Sequence, residues 1–241
     1  MLAGNANAQK AKPDTLMSLP LFYASGGFDL VGGDIAKQFT NNFEIGGGFL
    51  YKTKSNWLFG ADFNFIFNDS VKYLPIQGIL TREGFLIGED GLYTNLRITE
   101  RGYKLPVFKA GKIFSAPIGR ASVNSGLYLM GGLGFLQHRI HYEDVSRTAS
   151  QLRGNYKKGY DHLTNGLALT ENIGYMFLDK NRRINFFVCL EFTQAFTKNR
   201  RDYNFDLRGP DHSQKTDLLY GIKLGWIFPA YKKIPQEYYY D

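Results

Sequence analysis

All four histidines of the chain lie in segments that read as long connections rather than as regular elements: His138, His141, His162 and His212. On a helix, His138 and His141 would share one face and could bind a single metal ion. On a strand they would point to opposite faces. We favour solvated loop histidines, and the sequence therefore predicts neither a metal site nor a cofactor.

A lipid-modifying enzyme would need a serine, a histidine and an acid held close together. The candidates that follow the paired histidines are Glu143, Asp144, Ser146 and Ser150. No nucleophile-elbow motif accompanies them, and no spacing among them has a mechanical reason. We therefore expect no catalytic residues and no enzymatic activity.

Glycine-rich stretches and the single cysteine offer no further chemistry. Neither Gly46-Gly47-Gly48 nor Gly131-Gly132 with Gly134 precedes a helical pattern, so neither is a phosphate-binding loop. Cys189 alone excludes an intramolecular disulfide within the chain. The net charge is +7, but the basic residues are scattered and form no stripe, which argues against nucleic-acid binding.

Alternation with a period of two residues is the strongest signal in the sequence. From Trp57 to Phe67 the odd positions are all apolar, whereas the even positions include Gly60, Asp62 and Asn64. Eleven residues of this kind suffice to cross a bilayer as a tilted strand. Aromatic residues make up 16% of the chain, which favours a membrane barrel with greasy outer positions over a soluble sandwich with an aliphatic core.

Eight segments share this pattern. They lie at about 20–31, 43–52, 57–67, 102–114, 123–136, 167–177, 184–197 and 218–228. The connections between them alternate between short and long, as in outer-membrane barrels with short periplasmic turns and long extracellular loops. The sequence thus predicts an all-β fold, an eight-stranded antiparallel transmembrane β-barrel in an up-and-down meander, with both termini periplasmic.

The chain divides into four predicted parts. Residues 1–9 end in Ala6-Asn7-Ala8 and look like the remnant of an export signal. Residues 10–19 form a periplasmic N-terminal segment, 20–228 the outer-membrane barrel, and 229–241 a periplasmic tail.

Isolated charges on the predicted inner faces must pair inside a narrow lumen. These lumen residues are Glu44, Asp62, Glu191 and Lys223. Lys223 and Lys52 are the cations with which Asp62 could pair. Lys109 and Glu171 fall on apolar outer faces, so we expect either a bulge or a strand end near the membrane interface at each of them.

Partner contacts are predicted at the loops and at the C-terminus. Residues 84–93 read as a hairpin around Asp90-Gly91 within a partly folded outer cap. The candidate partner-binding residues are Arg153, Tyr156 and Tyr160 in the third long loop and Tyr238, Tyr239 and Tyr240 in the tail. Aromatic side chains of this kind often anchor interfaces.

Two adjacent predicted strands carry a family resemblance. Leu105, Pro106, Val107 and Lys109, followed by Tyr128, Gly131 and Gly134, resemble paired strand motifs of the PorT-like family of small outer-membrane β-barrels, with Gly132 where proline is usual. The resemblance implies a barrel that serves as an accessory part of a large envelope machine, such as the type 9 secretion system. It transfers no functional residue.

Two functions are compatible with these observations. The first is a non-enzymatic accessory or scaffold subunit of an envelope complex for secretion or outer-membrane protein assembly, with membrane lipid and other envelope proteins as partners. The alternative is a stand-alone surface protein whose extracellular loops bind host, matrix or lipid. A small pore is a weaker alternative, since eight strands leave an interior that side chains fill.

Overall fold

The computed structural model describes residues 14–231, and within them eight antiparallel strands close into a barrel. Each strand pairs with the next in the chain, and β1 pairs with β8. The strands are β1 (Leu19–Gly33), β2 (Asn42–Lys52), β3 (Trp57–Asn68), β4 (Leu96–Ser115), β5 (Gly126–Asp144), β6 (Thr164–Leu178), β7 (Asn185–Asn199) and β8 (Gln214–Pro229). The predicted fold class, a meander of eight antiparallel strands, is confirmed.

Side chains alternate across the barrel wall as the sequence pattern requires. On β3, Phe59 and Phe63 are exposed on the outside, whereas Leu58, Asp62 and Asn64 are buried inside. The outer surface is consequently a continuous apolar band, with large exposed side chains contributed by all eight strands. A soluble protein rarely exposes so large an apolar area, because it would associate through it.

A bulge in β4 reverses the facing of its side chains. The pairing of β4 with β5 shifts between Leu105 and Phe108, at Pro106, which has no N–H to donate to a ladder. Because of the shift, Val107 and Lys109 point inward and are buried. The bulge predicted near Lys109 is confirmed.

The prediction of a bulge or a strand end at Glu171 is wrong, because β6 continues through this residue. The ladders that join β6 to β5 and to β7 run through this residue without a shift. The neighbouring Thr170 and Asn172 are fixed inside, where Asn172 donates a hydrogen bond to Glu191, and this sets the register of the whole strand. Glu171 therefore lies on the outer face between Leu169 and Ile173.

Several strands extend beyond their predicted ends towards the long loops, and β4, β5 and β8 extend furthest. β4 begins at Leu96 rather than at 102, β5 continues to Asp144 rather than to 136, and β8 begins at Gln214. The alternation persists in these extensions, but the outward positions become polar or charged instead of apolar, so the extensions lack the apolar outer face that marks a membrane strand.

The connections differ in length at the two ends of the barrel. Residues 53–56, 116–125 and 179–184 form the short-turn rim. At the long-loop rim lie a four-residue helix α1 (Ile35–Gln38) and 3₁₀ turns at Pro75–Ile79, Ser150–Leu152 and Tyr156–Gly159. The predicted turn at Asp90-Gly91 is present and is closed by a bridge between Ile87 and Tyr93. No helix among residues 14–231 is long and apolar enough to cross a membrane.

Two apolar clusters fill the barrel above and below its middle. The cluster near the short turns includes Leu21, Leu58 and Phe187, and Met17 packs against it from the N-terminal segment. The cluster near the long loops includes Phe39, Ile66 and Leu219. Both ends of the interior are therefore closed by packed side chains.

Candidate functional site

Charged side chains occupy the middle of the barrel between the two apolar clusters. We call this group the central charge cluster; its members are Asp29, Glu44, Asp62, Lys104, Lys109, Glu191 and Lys223. Strand alternation and the β4 bulge point all seven side chains inward, and each is 7% exposed or less. The cluster spans the interior because its residues come from β1, β2, β3, β4, β7 and β8.

Glu191 is the centre of this arrangement. Its carboxylate oxygens lie 2.7 Å from Lys104 Nζ, 2.9 Å from Lys223 Nζ and 3.1 Å from Lys109 Nζ. Asn172 donates a further hydrogen bond of 2.7 Å. One carboxylate therefore balances part of the charge of three buried ammonium groups.

The other acids of the cluster pair with the same lysines. Glu44 lies 2.7 Å from Lys104 and 2.8 Å from Lys223, and Asp29 lies 3.4 Å from Lys104. Buried charges are tolerated only when they are paired and hydrogen-bonded in this way. The cluster is a closed network that fixes the strands relative to one another.

Asp62 has different partners from those predicted. It pairs with Lys109 at 2.7 Å and accepts a hydrogen bond from the Tyr23 hydroxyl at 2.9 Å. Lys223 is occupied by the two glutamates, and Lys52 lies at the short-turn rim, where it donates to Asn124 Oδ1 at 2.9 Å. The bulge in β4 is the reason, since it turns Lys109 towards Asp62.

The space left beside this network is small. A void of about 20 Å³ is lined by residues that include Tyr23, Lys109 and Cys189. A space of this size holds about one water molecule. With the apolar clusters on either side, the described interior is a packed core.

The two histidines that could share a metal lie on opposite faces of β5. His138 is buried inside, and its Nε2 lies 3.0 Å from Asp217, which also accepts a hydrogen bond from Thr197. His141 lies on the outward face. No group of three or more potential metal ligands occurs among residues 14–231.

The serine and acid candidates are used in loop structure instead. Asp144 accepts a hydrogen bond from the Ala149 amide, and the Ser146 hydroxyl accepts one from the Asn95 amide. Ser150 begins a 3₁₀ turn and Glu143 is exposed at the end of β5. The structure does not place these side chains around one reacting centre.

A hydrogen-bonded clamp joins three of the long loops. Asp206 in the fourth loop accepts hydrogen bonds from Tyr73 in the second loop and from His162, at 2.9 Å, in the third. Burial alone would raise the pKa of Asp206, but the hydrogen bonds from Tyr73 and His162 outweigh it and lower that pKa. Burial and the bond to Asp206 raise the pKa of Tyr73 to about 12.

Removing the Asp206 charge should loosen the cap formed by these loops. Because the folded-state pKa of Asp206 is lowered, its stabilising effect is present above the ordinary carboxyl value and is lost as pH falls below about 4. We expect Asp206→Asn to accelerate amide hydrogen exchange in the three loops about tenfold at pH 6, the equivalent of about one charge-assisted hydrogen bond. Exposed Asp202→Asn, in the same loop, is the control; equal effects of the two variants would contradict the clamp.

The residues predicted to bind partners fall into two groups. Tyr156 is 66% exposed and stands at the edge of an aromatic group with Phe205 and Tyr160. Arg153 is exposed and pairs with Glu89 at 3.0 Å. The tail residues Tyr238, Tyr239 and Tyr240 lie outside the described residues.

The outer face carries one ionisable side chain in an unexpected place. Glu171 is the central residue of β6, is exposed, and is flanked on its own face by Leu169 and Ile173. It borders a groove of about 440 Å³ on the outside of the barrel. The apolar residues of that groove are Phe28, Leu30, Ile173, Leu190, Phe192, Tyr220 and Ile222.

The sequence predicts four members of the central charge cluster inside the barrel. It does not single out Asp29 or Lys104, and it places Lys109 on the outer face. Lys104 and Lys109 are five positions apart, so no uninterrupted alternation puts both inside. Charge balance was the available signal. Three lumen acids and one lysine leave an excess negative charge that calls for further cations.

No protein-family model matches the chain, and no curated protein matches it. Among solved structures, it is similar to Ail, the attachment invasion locus protein of Yersinia pestis, in complex with the heparin analogue sucrose octasulfate, with 12% identity, a TM-score of 0.43, and coverage of 88% of this chain and 99% of that one. It is also similar to the outer membrane protein OprG of Pseudomonas aeruginosa, with 15% identity, a TM-score of 0.37, and coverage of 89% and 97%. Neisserial surface protein A shows 8% identity, a TM-score of 0.37, and coverage of 87% and 97%.

Proposed function

We propose that the protein is an integral outer-membrane barrel that acts, without catalysis, as an accessory subunit of an envelope complex. The apolar outer band supports the membrane location, because bilayer is the solvent that such a surface requires. The long loops then lie on the extracellular side. The start of β1 and the end of β8 lie on the periplasmic side, as in bacterial barrels of this topology. The packed interior argues against a pore.

Glu171 is the observation that carries the accessory role. A carboxylate at the middle of a lipid-facing strand has no water to solvate it, and ionisable residues in this environment generally mark functional contacts. The interior residues dictate the register of β6, but nothing in the fold requires an acid at the outward position 171. A partner within the membrane explains the residue.

The groove beside Glu171 indicates the chemistry of that partner. Its walls are apolar and aromatic. Of the two glutamates that line it, Glu191 is paired with lysines inside the barrel, and Glu171 presents its carboxylate on the outer face. The complementary surface is a transmembrane segment of another envelope protein that presents small or apolar side chains and one basic side chain or hydrogen-bond donor at mid-membrane depth. A subunit that binds a partner sideways in this way serves as a scaffold.

The exposed cap favours the second function, a surface protein that binds an external ligand through its loops. Phe85, Ile87, Leu92 and Tyr93 are each at least 45% exposed on the second long loop. A groove of about 450 Å³ lies beside this loop and is lined by residues that include Ile76, Phe85 and Tyr93. The two functions use different surfaces and can be tested separately.

Removing the charge of Glu171 should weaken lateral association without harming the barrel. We expect Glu171→Gln to reduce partner association about tenfold, since a charge-assisted hydrogen bond is lost, and to leave the isolated barrel as stable or more stable in lipid vesicles. The measurement is photo-cross-linking in native membranes from a reactive residue at Ile222 in the groove. Glu143→Gln, the same change beyond the apolar band, is the matched control.

Cross-linking from Phe59 on β3, across the barrel from β7, should give no protein adduct. We expect one discrete protein adduct at Ile222 that Glu171→Gln reduces about tenfold and whose partner places a basic or donor side chain at the contact. Lipid adducts alone at Ile222, unchanged by Glu171→Gln, would contradict the accessory role and leave the stand-alone surface protein. The link to PorT-like machines would be tested by the identity of that partner.

A further inference from the structure

Where β4 and β5 rise beyond the apolar band, their outward faces turn from aromatic to basic. Phe65 and Tyr103 lie side by side at the upper edge of the band, with ring centroids 5.3 Å apart. Two residues further along β4, about 7 Å higher on a strand, stands Arg101. Aromatic residues followed by cations are the arrangement found where a barrel meets the polar part of a membrane.

Arg101 lies directly opposite Arg139 in the ladder between β4 and β5. Side chains at directly opposed positions on one face are about 5 Å apart at Cβ, and like charges there destabilise a sheet. The outward pairs on either side along the same two strands are Thr99 with His141 and Tyr103 with Gln137, so neither pair supplies an acid to the two arginines. The fold therefore brings together two cations whose repulsion destabilises the sheet.

A third cation reaches the same place from the third long loop. Lys157 donates a hydrogen bond to the backbone oxygen of Tyr142, which fixes it beside the end of β5. Burial, followed by repulsion from Arg139 and Arg101, lowers the pKa of Lys157. The Nδ1 atom of neighbouring His141 is also buried and has no hydrogen-bond partner among the described residues.

Three acids lie near these cations, and two of them pair with other arginines. Arg97 is neutralised by Asp69 at 2.7 Å. Asp161 accepts two hydrogen bonds from Arg201 and also lies 3.9 Å from Arg139. Glu143 is exposed, lies opposite Arg97 and lines the same groove as Arg101. Positive charge therefore remains in excess around Arg101, Arg139 and Lys157.

Two phenylalanine rings on β3 adjoin Arg101. Phe65 and Phe67 line a groove of about 390 Å³ together with Arg101, and the rest of its lining is polar: Asp69, Arg97, Thr99, Glu100 and Glu143. Phe67 is the direct neighbour of Arg101 across the ladder between β3 and β4. A ligand that fits both surfaces has an anionic head on the arginines and a hydrocarbon part against the two rings.

We infer that Arg101, Arg139 and Lys157 form a binding site for the phosphate group of a phosphorylated glycolipid in the outer leaflet. Arginine pairs phosphate through two parallel hydrogen bonds, and an anion placed between two facing arginines converts their repulsion into attraction. Phe65 and Phe67 then contact the acyl chains of the same molecule. The inference rests on the proposed membrane location and orientation but is independent of Glu171 and of any protein partner.

The test measures glycolipid retained by the full-length barrel in mild zwitterionic detergent, using native mass spectrometry and titration with a bisphosphorylated glycolipid. We expect the Arg101→Gln/Arg139→Gln variant to bind about tenfold more weakly or worse, given the strength of charge-assisted hydrogen bonds. The matched control is Lys54→Gln/Lys180→Gln, which removes two charges from the short-turn rim. In lipid-free detergent the arginine variant should melt at a higher temperature than the wild type, because the repulsion is gone.

Three further arms identify the ligand. The dephosphorylated glycolipid should bind weakly to every variant, and an anionic phospholipid with a single phosphodiester should bind less tightly than the phosphorylated glycolipid. Competition by inorganic phosphate alone at equal concentration would overturn the lipid assignment in favour of a soluble anion. Equal glycolipid binding by the arginine variant and the control would overturn the site itself, whatever the outcome of cross-linking at Glu171.

Discussion

Glu191→Gln is expected to destabilise the barrel by about 3–5 kcal/mol, because it leaves three buried lysines without their shared acid. The amide is nearly the same size as the carboxylate, so packing changes little and the loss reports on charge. Lys104, Lys109 and Lys223 would then depend on the remaining acids. The measurement is urea-induced unfolding in lipid vesicles, followed by tryptophan fluorescence and by heat-modifiable gel mobility.

A matched control and a second substitution make this result specific. Glu143→Gln makes the same chemical change at an exposed position and should alter the free energy of unfolding by no more than about 0.5 kcal/mol. Combining Glu191→Gln with Lys104→Met should cost less than the sum of the single changes, since the second removes a charge that the first leaves unpaired. Additive effects, or a Glu191→Gln protein as stable as the control, would mean that the network does not hold the strands together.

The barrel could be predicted because short stretches of sequence determine its architecture. Each crossing strand repeats the same two-residue alternation, and the connection lengths supply topology without long-range information. Where a charged residue interrupts the apolar outer face, a register shift can be predicted only if the sequence also contains a residue that favours a bulge. Pro106 marks the shift beside Lys109, whereas at Glu171 the sequence offers a misplaced charge but no bulge residue.

The central charge cluster was less predictable, since its pairs join residues far apart in the chain. Lys104 and Glu191 are separated by 87 positions, and their contact depends on strand stagger and on the β4 bulge together. Inner faces can be read from alternation, but which acid faces which lysine cannot. The same holds for Arg101 and Arg139. They face each other because of the register between β4 and β5, in extensions of these strands whose outward positions are not apolar.

Phe63 lies on the outer face of β3, where we expect its side chain to contact lipid. This side chain is 44% exposed on the outer face near the middle of β3, between the aromatic residues of the two rims. Phe63→Arg would place a charge at mid-membrane depth and should destabilise the barrel in lipid vesicles by about 2–4 kcal/mol. In water the same change would improve solubility by breaking an apolar patch.

Phe85→Arg provides the matched control, because Phe85 is 48% exposed on the second long loop, outside the apolar band. It should change the free energy of unfolding by no more than about 0.5 kcal/mol in the same vesicles. Insertion is followed by heat-modifiable gel mobility, and stability by urea titration of the inserted fraction. If Phe63→Arg inserts and resists urea as well as Phe85→Arg does, position 63 does not face lipid, and the outer band must be covered by protein instead.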